Sequence, residues 1–213
     1  GGRLTLRRGP AGVVLDALIA ETGADTVLWN RCYDKGSVAR DTEIKAGLRA
    51  RGLLAESFNG SLLTEPWEIT TKAGGGYKVY TRFWQACRAA GDPPPPVPAP
   101  DALAAPETWP RSDDLADWAL TPRSPDWAAG FSDHWMPGSA GAMDRLADFL
   151  GGTVMDYADR RDFPARPATS GLSPHLAWGD IGPRQAWQAA MRHAPAGRGR
   201  ETFLKELVWR EFA

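Results

Sequence analysis

The sequence predicts an α/β domain with a parallel sheet of doubly wound type, then a linker, then the start of an all-α domain. Three observations carry this. Strand-like and helix-like segments alternate with short connections over the first sixty residues, the pattern of a parallel sheet with crossover helices. A proline run, "PPPPVPAP" (Pro93 to Pro100), then excludes both helix and central strand, because proline lacks the backbone donor and fixes φ. Beyond about Gly130 the apolar spacing is helical.

The elements follow in order. "RLTLRRG" alternates like a short strand, and "AGVVLDALIAETGA" reads as an amphipathic helix closed by Gly23. "DTVLWN" is a compact apolar run between turn residues, hence a buried strand. "SVARDTEIKAGLRARG" reads as a helix with Ser37 as N-cap and Gly52 as stop, and "LLAESFN" as the next strand. The chain opens on Gly-Gly without a methionine, so the front reads as clipped, and residues 3–7 are expected to pair poorly with 26–30 or unnaturally. The proline run begins a semi-rigid connector in which Trp109, Trp118 and Trp127 need surfaces to pack on. "AGAMDRLADFLGG", "GPRQAWQAAMRH" and "GRETFLKELVWREFA" complete the pattern as helices.

Composition bounds the function. The hydrophobic share of 43% and charged share of 24% are those of a globular protein, and ten tryptophans point to a core or pocket built on indoles. No run approaches the roughly 18 apolar residues of a membrane span. Cys32 and Cys87 match no metal or redox spacing and read as reduced thiols of a cytosolic protein. The net charge of −1 is unevenly spread: +3 over residues 1–100, −7 over 101–156 and +3 over 157–213. A polyanion would meet the last segment, unless these are only solvated faces.

Few motifs carry chemistry. "AGGGYK" lacks the phosphate-loop spacing, and "GFSDH" and "PGSAG" miss the nucleophile elbow of the hydrolases. His134, His175 and His193 have no carboxylate or cysteine at ligand spacing, which argues against a metal. "ATSGLSPHLAWGDIGPRQAW" (Ala168 to Trp187) stands out. Thr169, Ser170 and Ser173 are small donors, Gly171 permits close backbone approach, and Pro174 and Pro183 sit at expected helix starts. Free N–H groups and a positive dipole end hold phosphate there, although bare helix capping by Ser173 explains the same residues. In the last helix, Phe203, Glu206, Leu207 and Arg210 share roughly one face, while Leu204, Val208 and Phe212 supply another. One face is expected to serve the core and the other a pocket.

Five segments in one order, "WNRCYDKGSVARDTEIKAGL", "ESFNGSLLTEPWEI", "YKVYTRFW", "YADRRDFPARPATSGLSPHLAWGDIGPRQAW" and "FLKELVWREF", resemble the DNA photolyase/cryptochrome family, most of all its microbial cyclobutane-dimer photolyases. The resemblance implies a Rossmann-like antenna domain over residues 1–90, incomplete at its start. It implies an interdomain linker over 91–130 and the beginning of a helical FAD-binding domain over 131–213. It further implies repair of UV-made pyrimidine dimers in DNA, in which reduced FAD absorbs light and passes an electron to the dimer.

By the same resemblance, Tyr157, Thr169, Ser170, Gly171, Leu172 and Ser173 would hold FAD, with Phe203 and Arg210 lining the flavin pocket. Arg161 would meet a DNA phosphate. Glu206 and Trp209 would face the flipped dimer, the carboxyl near the pyrimidine carbonyls and the indole stacked on it. Gly171 stands where the family often has arginine, loosening the phosphate loop, and Gly36-Ser37 replaces the Asn-Glu of folate-binding members, which speaks against a methenyltetrahydrofolate antenna. The family extends far beyond "WREF", so the chain reads as truncated at both ends and is expected to bind FAD weakly by itself. The reading is completed by a cytoplasmic monomer acting on UV-damaged DNA, with no membrane partner. A cryptochrome-like photoreceptor and a non-catalytic α/β interaction domain are the alternatives.

Overall fold

A computed structural model describes residues 2–213. The chain forms two compact units, each built from two stretches: Gly1–Phe58 with Pro98–Asp133, and Asn59–Val97 with His134–Ala213.

In the first unit, helix α1 (Ala11–Thr22) is closed by Gly23 in the left-handed region, its N–H bonded to the Ile19 carbonyl. Strand β1 (Thr26–Asn30) and strand β2 (Leu54–Phe58) pair in parallel, Thr26 opposite Leu54 and Asn30 opposite Phe58. Helix α2 (Lys35–Ala50) is the crossover between them. A parallel pair joined by a helix is the minimal doubly wound unit, as the sequence predicted.

Two local expectations are corrected. The cap of α2 is Asp34 and not Ser37: the Asp34 carboxylate accepts from the Ser37 backbone N–H at 2.9 Å, so the helix begins three residues earlier. Residues 3–7 form no strand. The Leu6 carbonyl accepts from Asp113 N–H at 2.8 Å and Leu6 N–H donates to Ser112 Oγ at 3.0 Å. With Leu4 77% exposed, alternation alone buries no face there, and the connector satisfies the backbone in place of a sheet neighbour. Within that connector Trp118 receives the Arg8 guanidinium 5.2 Å from its ring centroid.

The second unit is helical: α3 (Tyr80–Ala90), α4 (Gly138–Gly151), α5 (Tyr157–Arg160), α6 (Ser173–Trp178), α7 (Pro183–His193) and α8 (Arg198–Phe212). Its core gathers Leu146, Phe149 and Leu150 of α4, Ala186, Trp187 and Ala190 of α7, and Phe203, Leu204, Leu207 and Val208 of α8. A 15-residue helix is marginal alone in water, so these four buried side chains, roughly 2 kcal/mol each, hold α8 in place. Phe203 and Leu207 are therefore buried alongside Leu204 and Val208, and the expected division of α8 into a core face and a pocket face does not hold. Glu206 is half-buried, and Trp209 and Arg210 reach the surface.

Gly199, in the first turn of α8, lets this helix approach the turn at 153–155. A Cβ on Gly199 would lie 1.9 Å from the Val154 carbonyl oxygen. Among the described residues no helix is long and apolar enough to cross a membrane.

Candidate functional site

The candidate residues converge on α5, α8 and the loop before α6. Tyr157 opens α5 and points into the core, 7% exposed, its ring edge-on to Phe149 (centroids 5.3 Å apart) and Phe203 (6.1 Å). Phe203, 3% exposed, lies 4.9 Å from Phe149, so the three rings form one aromatic cluster. Burial pushes the Tyr157 hydroxyl's pKa up.

One turn beyond Tyr157, Arg161 reaches across to α8 and forms an ion pair with Glu206. Its guanidinium also lies 5.5 Å from the Tyr157 ring centroid. Two residues expected in separate roles, a phosphate contact and a pyrimidine contact, are thus joined to each other. The Glu206 carboxylate holds the Arg161 guanidinium in its charged form. Pairing is general in this segment. Arg160 sits against Asp156, Arg198 against Asp159 and Lys205 against Glu201, so much of the local positive excess is neutralised within the fold.

Trp209 lies one turn after Glu206 and is 41% exposed. One face of its indole is covered by Tyr80 of α3, centroids 3.6 Å apart and planes within 7°, and Phe212 abuts its edge at 5.5 Å. Tyr80 is fixed in turn by donating its hydroxyl to the Lys205 carbonyl at 2.7 Å. Tyr80→Phe keeps the stack and removes that bond, so it should lower unfolding stability by about 1 kcal/mol in denaturant titrations. No change would mean the bond carries nothing. Tyr80 went unassigned in the sequence because its partner stands 125 positions away. Arg210 is exposed at the end of the same helix.

The loop before α6 is not helical over residues 169–172. Thr169 and Ser173 are exposed, Ser170 is half-buried and Leu172 is 1% exposed. Ser170 Oγ accepts from the Leu172 N–H at 3.4 Å. Helix α6 starts at Ser173 itself, with Leu172 in the cap position and no side-chain cap, so Ser173 does not cap a helix starting at Pro174. Gly171 has φ +61, and Arg145 of α4 lies against it: a Cβ on Gly171 would fall 2.7 Å from Nη1 and 3.1 Å from Cδ of that side chain. Arg145 is half-buried, donates through Nη2 to the His134 carbonyl at 2.8 Å and has its guanidinium 4.6 Å from the Trp135 ring centroid.

One carboxylate sits closer to a histidine than spacing suggested. His175, 2% exposed, has Nδ1 2.8 Å from Asp180 Oδ2, and the same oxygen accepts from the Gly138 N–H at 3.0 Å. Those two bonds hold the Asp180 carboxyl below the usual carboxylate range, the histidine contributing most. The pair tethers α6 to the start of α4. Among the described residues no group of three metal-ligating side chains occurs. Cys32 and Cys87 are free, and burial pushes the Cys87 thiol up to about 11, which leaves it unreactive.

A DNA photolyase family model matches residues 1–101. The whole chain is 51% identical to the deoxyribodipyrimidine photo-lyase of Agrobacterium fabrum, of which it covers 45%. It is 33% identical over its full length to an uncharacterized 31.6 kDa protein of a Synechococcus species and covers 75% of that protein. Among solved structures, a bacterial class III photolyase from Agrobacterium tumefaciens superposes with TM-score 0.94 at 51% identity, over the whole of this chain and 44% of the other. The chain thus spans about half the length of the photolyases it matches.

Proposed function

Because the chain belongs to the DNA photolyase/cryptochrome family, we propose that it serves light-driven, FAD-dependent repair of cyclobutane pyrimidine dimers in DNA. The observation that carries this reading is the placement of Glu206 and Trp209 one turn apart on α8, a polar group beside an indole that is stacked on one face by Tyr80 and 41% exposed. An extruded base needs both, a stacking plate and a group that reads its polar edge. The carboxyl of Glu206 would face the pyrimidine carbonyls, and Arg161, now tied to that carboxyl, would turn to a DNA phosphate when the duplex arrives.

The residues present fit the phosphate end of FAD. The loop offers the exposed hydroxyls of Thr169 and Ser173, the Ser170 hydroxyl, and a backbone bared by Gly171. Leu172 anchors that loop in the core. Tyr157 and Phe203, packed edge-on in the core, would back the flavin pocket, and the exposed Arg210 would line it. Bound in reduced form, FAD supplies the light absorption and the electron. The chain's own task is to hold and orient the two ligands. We assign the antenna domain to residues within 1–90, the linker to 91–130 and the flavin domain to 131–213, with the protein acting as a cytoplasmic monomer. The end of the first segment, from Asn59 on and including α3, packs in the same unit as the flavin domain.

The test is dimer reversal under blue light by a full-length protein carrying this chain, with flavin absorbance read in parallel. Trp209→Ala should weaken binding of dimer-containing DNA by about 1–3 kcal/mol, the scale of base–aromatic stacking, and leave flavin content unchanged. A protein that retains its flavin but repairs nothing would move the reading to a cryptochrome-like photoreceptor. One without flavin would leave an α/β interaction domain.

A further inference from the structure

We propose that Arg145 supplies the cation of a phosphate site completed by residues Thr169–Gly171. The proposal rests on the flavin reading above, the phosphates being those of FAD. Arg145 is half-buried on α4, and among the described residues no carboxylate pairs with it. Partly desolvated charges are normally compensated, and this guanidinium has five N–H donors of which one, to the His134 carbonyl, is used within the protein. Its Nη1 and Cδ lie against Gly171, the residue that follows Thr169 and Ser170 in the loop. Among the described residues the backbone N–H groups of 169–171 donate to no protein acceptor. A permanent cation therefore lies on a stretch of loop whose amides are free, with the Thr169 and Ser170 hydroxyls on the adjoining residues, donors of the kind that a phosphate diester accepts.

Gly171 is the second, independent observation. Any side chain there would stand 2.7 Å from Nη1 and would have to adopt φ +61, which L residues rarely do. The absent Cβ is what lets the guanidinium lie on the loop backbone. A loop that carried its own cation at 171 would exclude Arg145; this one is cleared to admit it.

The experiment compares FAD with riboflavin, which lacks the phosphates, by fluorescence titration of the full-length protein. Arg145→Gln should weaken FAD by about tenfold or more while riboflavin affinity is unchanged, and it should flatten the salt dependence of FAD binding. Arg145→Lys should recover part of the loss, and Gly171→Ala, which pushes the guanidinium aside, should reproduce it. Equal losses for FAD and riboflavin, or FAD affinity untouched by Arg145→Gln, would overturn the assignment and leave the flavin reading standing. A wild-type protein that binds neither flavin would remove both.

Discussion

Gly199→Ala is expected to destabilise the helical unit by about 3 kcal/mol or more, the upper range for overpacking a close contact. Ordinarily this exchange in a helix gains up to about 1 kcal/mol, because alanine is the better helix former. Here the new methyl would meet the Val154 carbonyl oxygen at 1.9 Å and the Met155 carbonyl oxygen at 3.0 Å. Both obstacles are backbone, so neither can rotate away. Helix α8 would have to back off from the turn at 153–155, and Phe203 and Glu206 would part from Tyr157 and Arg161. Against a typical domain stability of about 5–15 kcal/mol this is a large fraction. Urea unfolding of the variant measures it, and a midpoint equal to wild type would show that the helix has room to spare.

Glu211→Gln is expected to change how stability depends on pH. Glu211 closes α8 beside a cavity of about 170 Å³ lined mainly by Ile69, Tyr77, Phe83 and Phe212. Burial pushes its carboxyl from 4.5 up to about 7, against the opposing pull of the Leu63 and Thr64 backbone N–H groups and the charges of Arg210 and Arg184. One oxygen accepts from the Leu63 N–H at 3.1 Å and the other has no partner. In the unfolded chain the group loses its proton near 4.5. The folded state keeps that proton up to about 7, so this residue's contribution is complete below 4.5 and is lost as pH rises through 7. Between pH 5 and 8 the wild type should lose about 2 kcal/mol that the amide variant, which retains an oxygen for Leu63, does not. Parallel stability profiles for the two proteins over this interval would show that water already reaches the carboxyl.

What the sequence made legible was local. The runs at 26–30 and 54–58 read as strands, and α7 and α8 carry their apolar spacing openly, so these elements stand where they were predicted. Strand β1 is not the buried strand its apolar run suggested, Leu28 being 59% exposed. Residues 3–7 misled because alternation describes a side-chain pattern and not a hydrogen-bonding partner. Asp34 and Ser37 both carry a capping oxygen, and only the backbone chose between them. Phe203 and Leu207 were legible as apolar but not as buried together with Leu204 and Val208, since the width of the buried stripe depends on how many neighbours surround the helix. At the site, Glu206 and Trp209 lie one turn apart in sequence and could be read as a pair. Arg161 against Glu206, Tyr80 against Trp209 and Arg145 against Gly171 are contacts between distant stretches, for which no local spacing exists.

The interleaving of the two units has a consequence for synthesis on the ribosome. Helix α3 leaves the exit tunnel long before α8, whose Lys205 carbonyl receives the Tyr80 hydroxyl 125 residues later. At translation rates of about 5–20 residues per second, that interval lasts on the order of ten seconds. Throughout it Phe83, Tyr80 and the other apolar side chains of α3 have no core to enter, while the intervening stretch Pro98–Asp133 is claimed by the other unit. The nascent chain therefore presents an unsheltered amphipathic helix over that interval, which makes α3 a segment where a chaperone would find its hold.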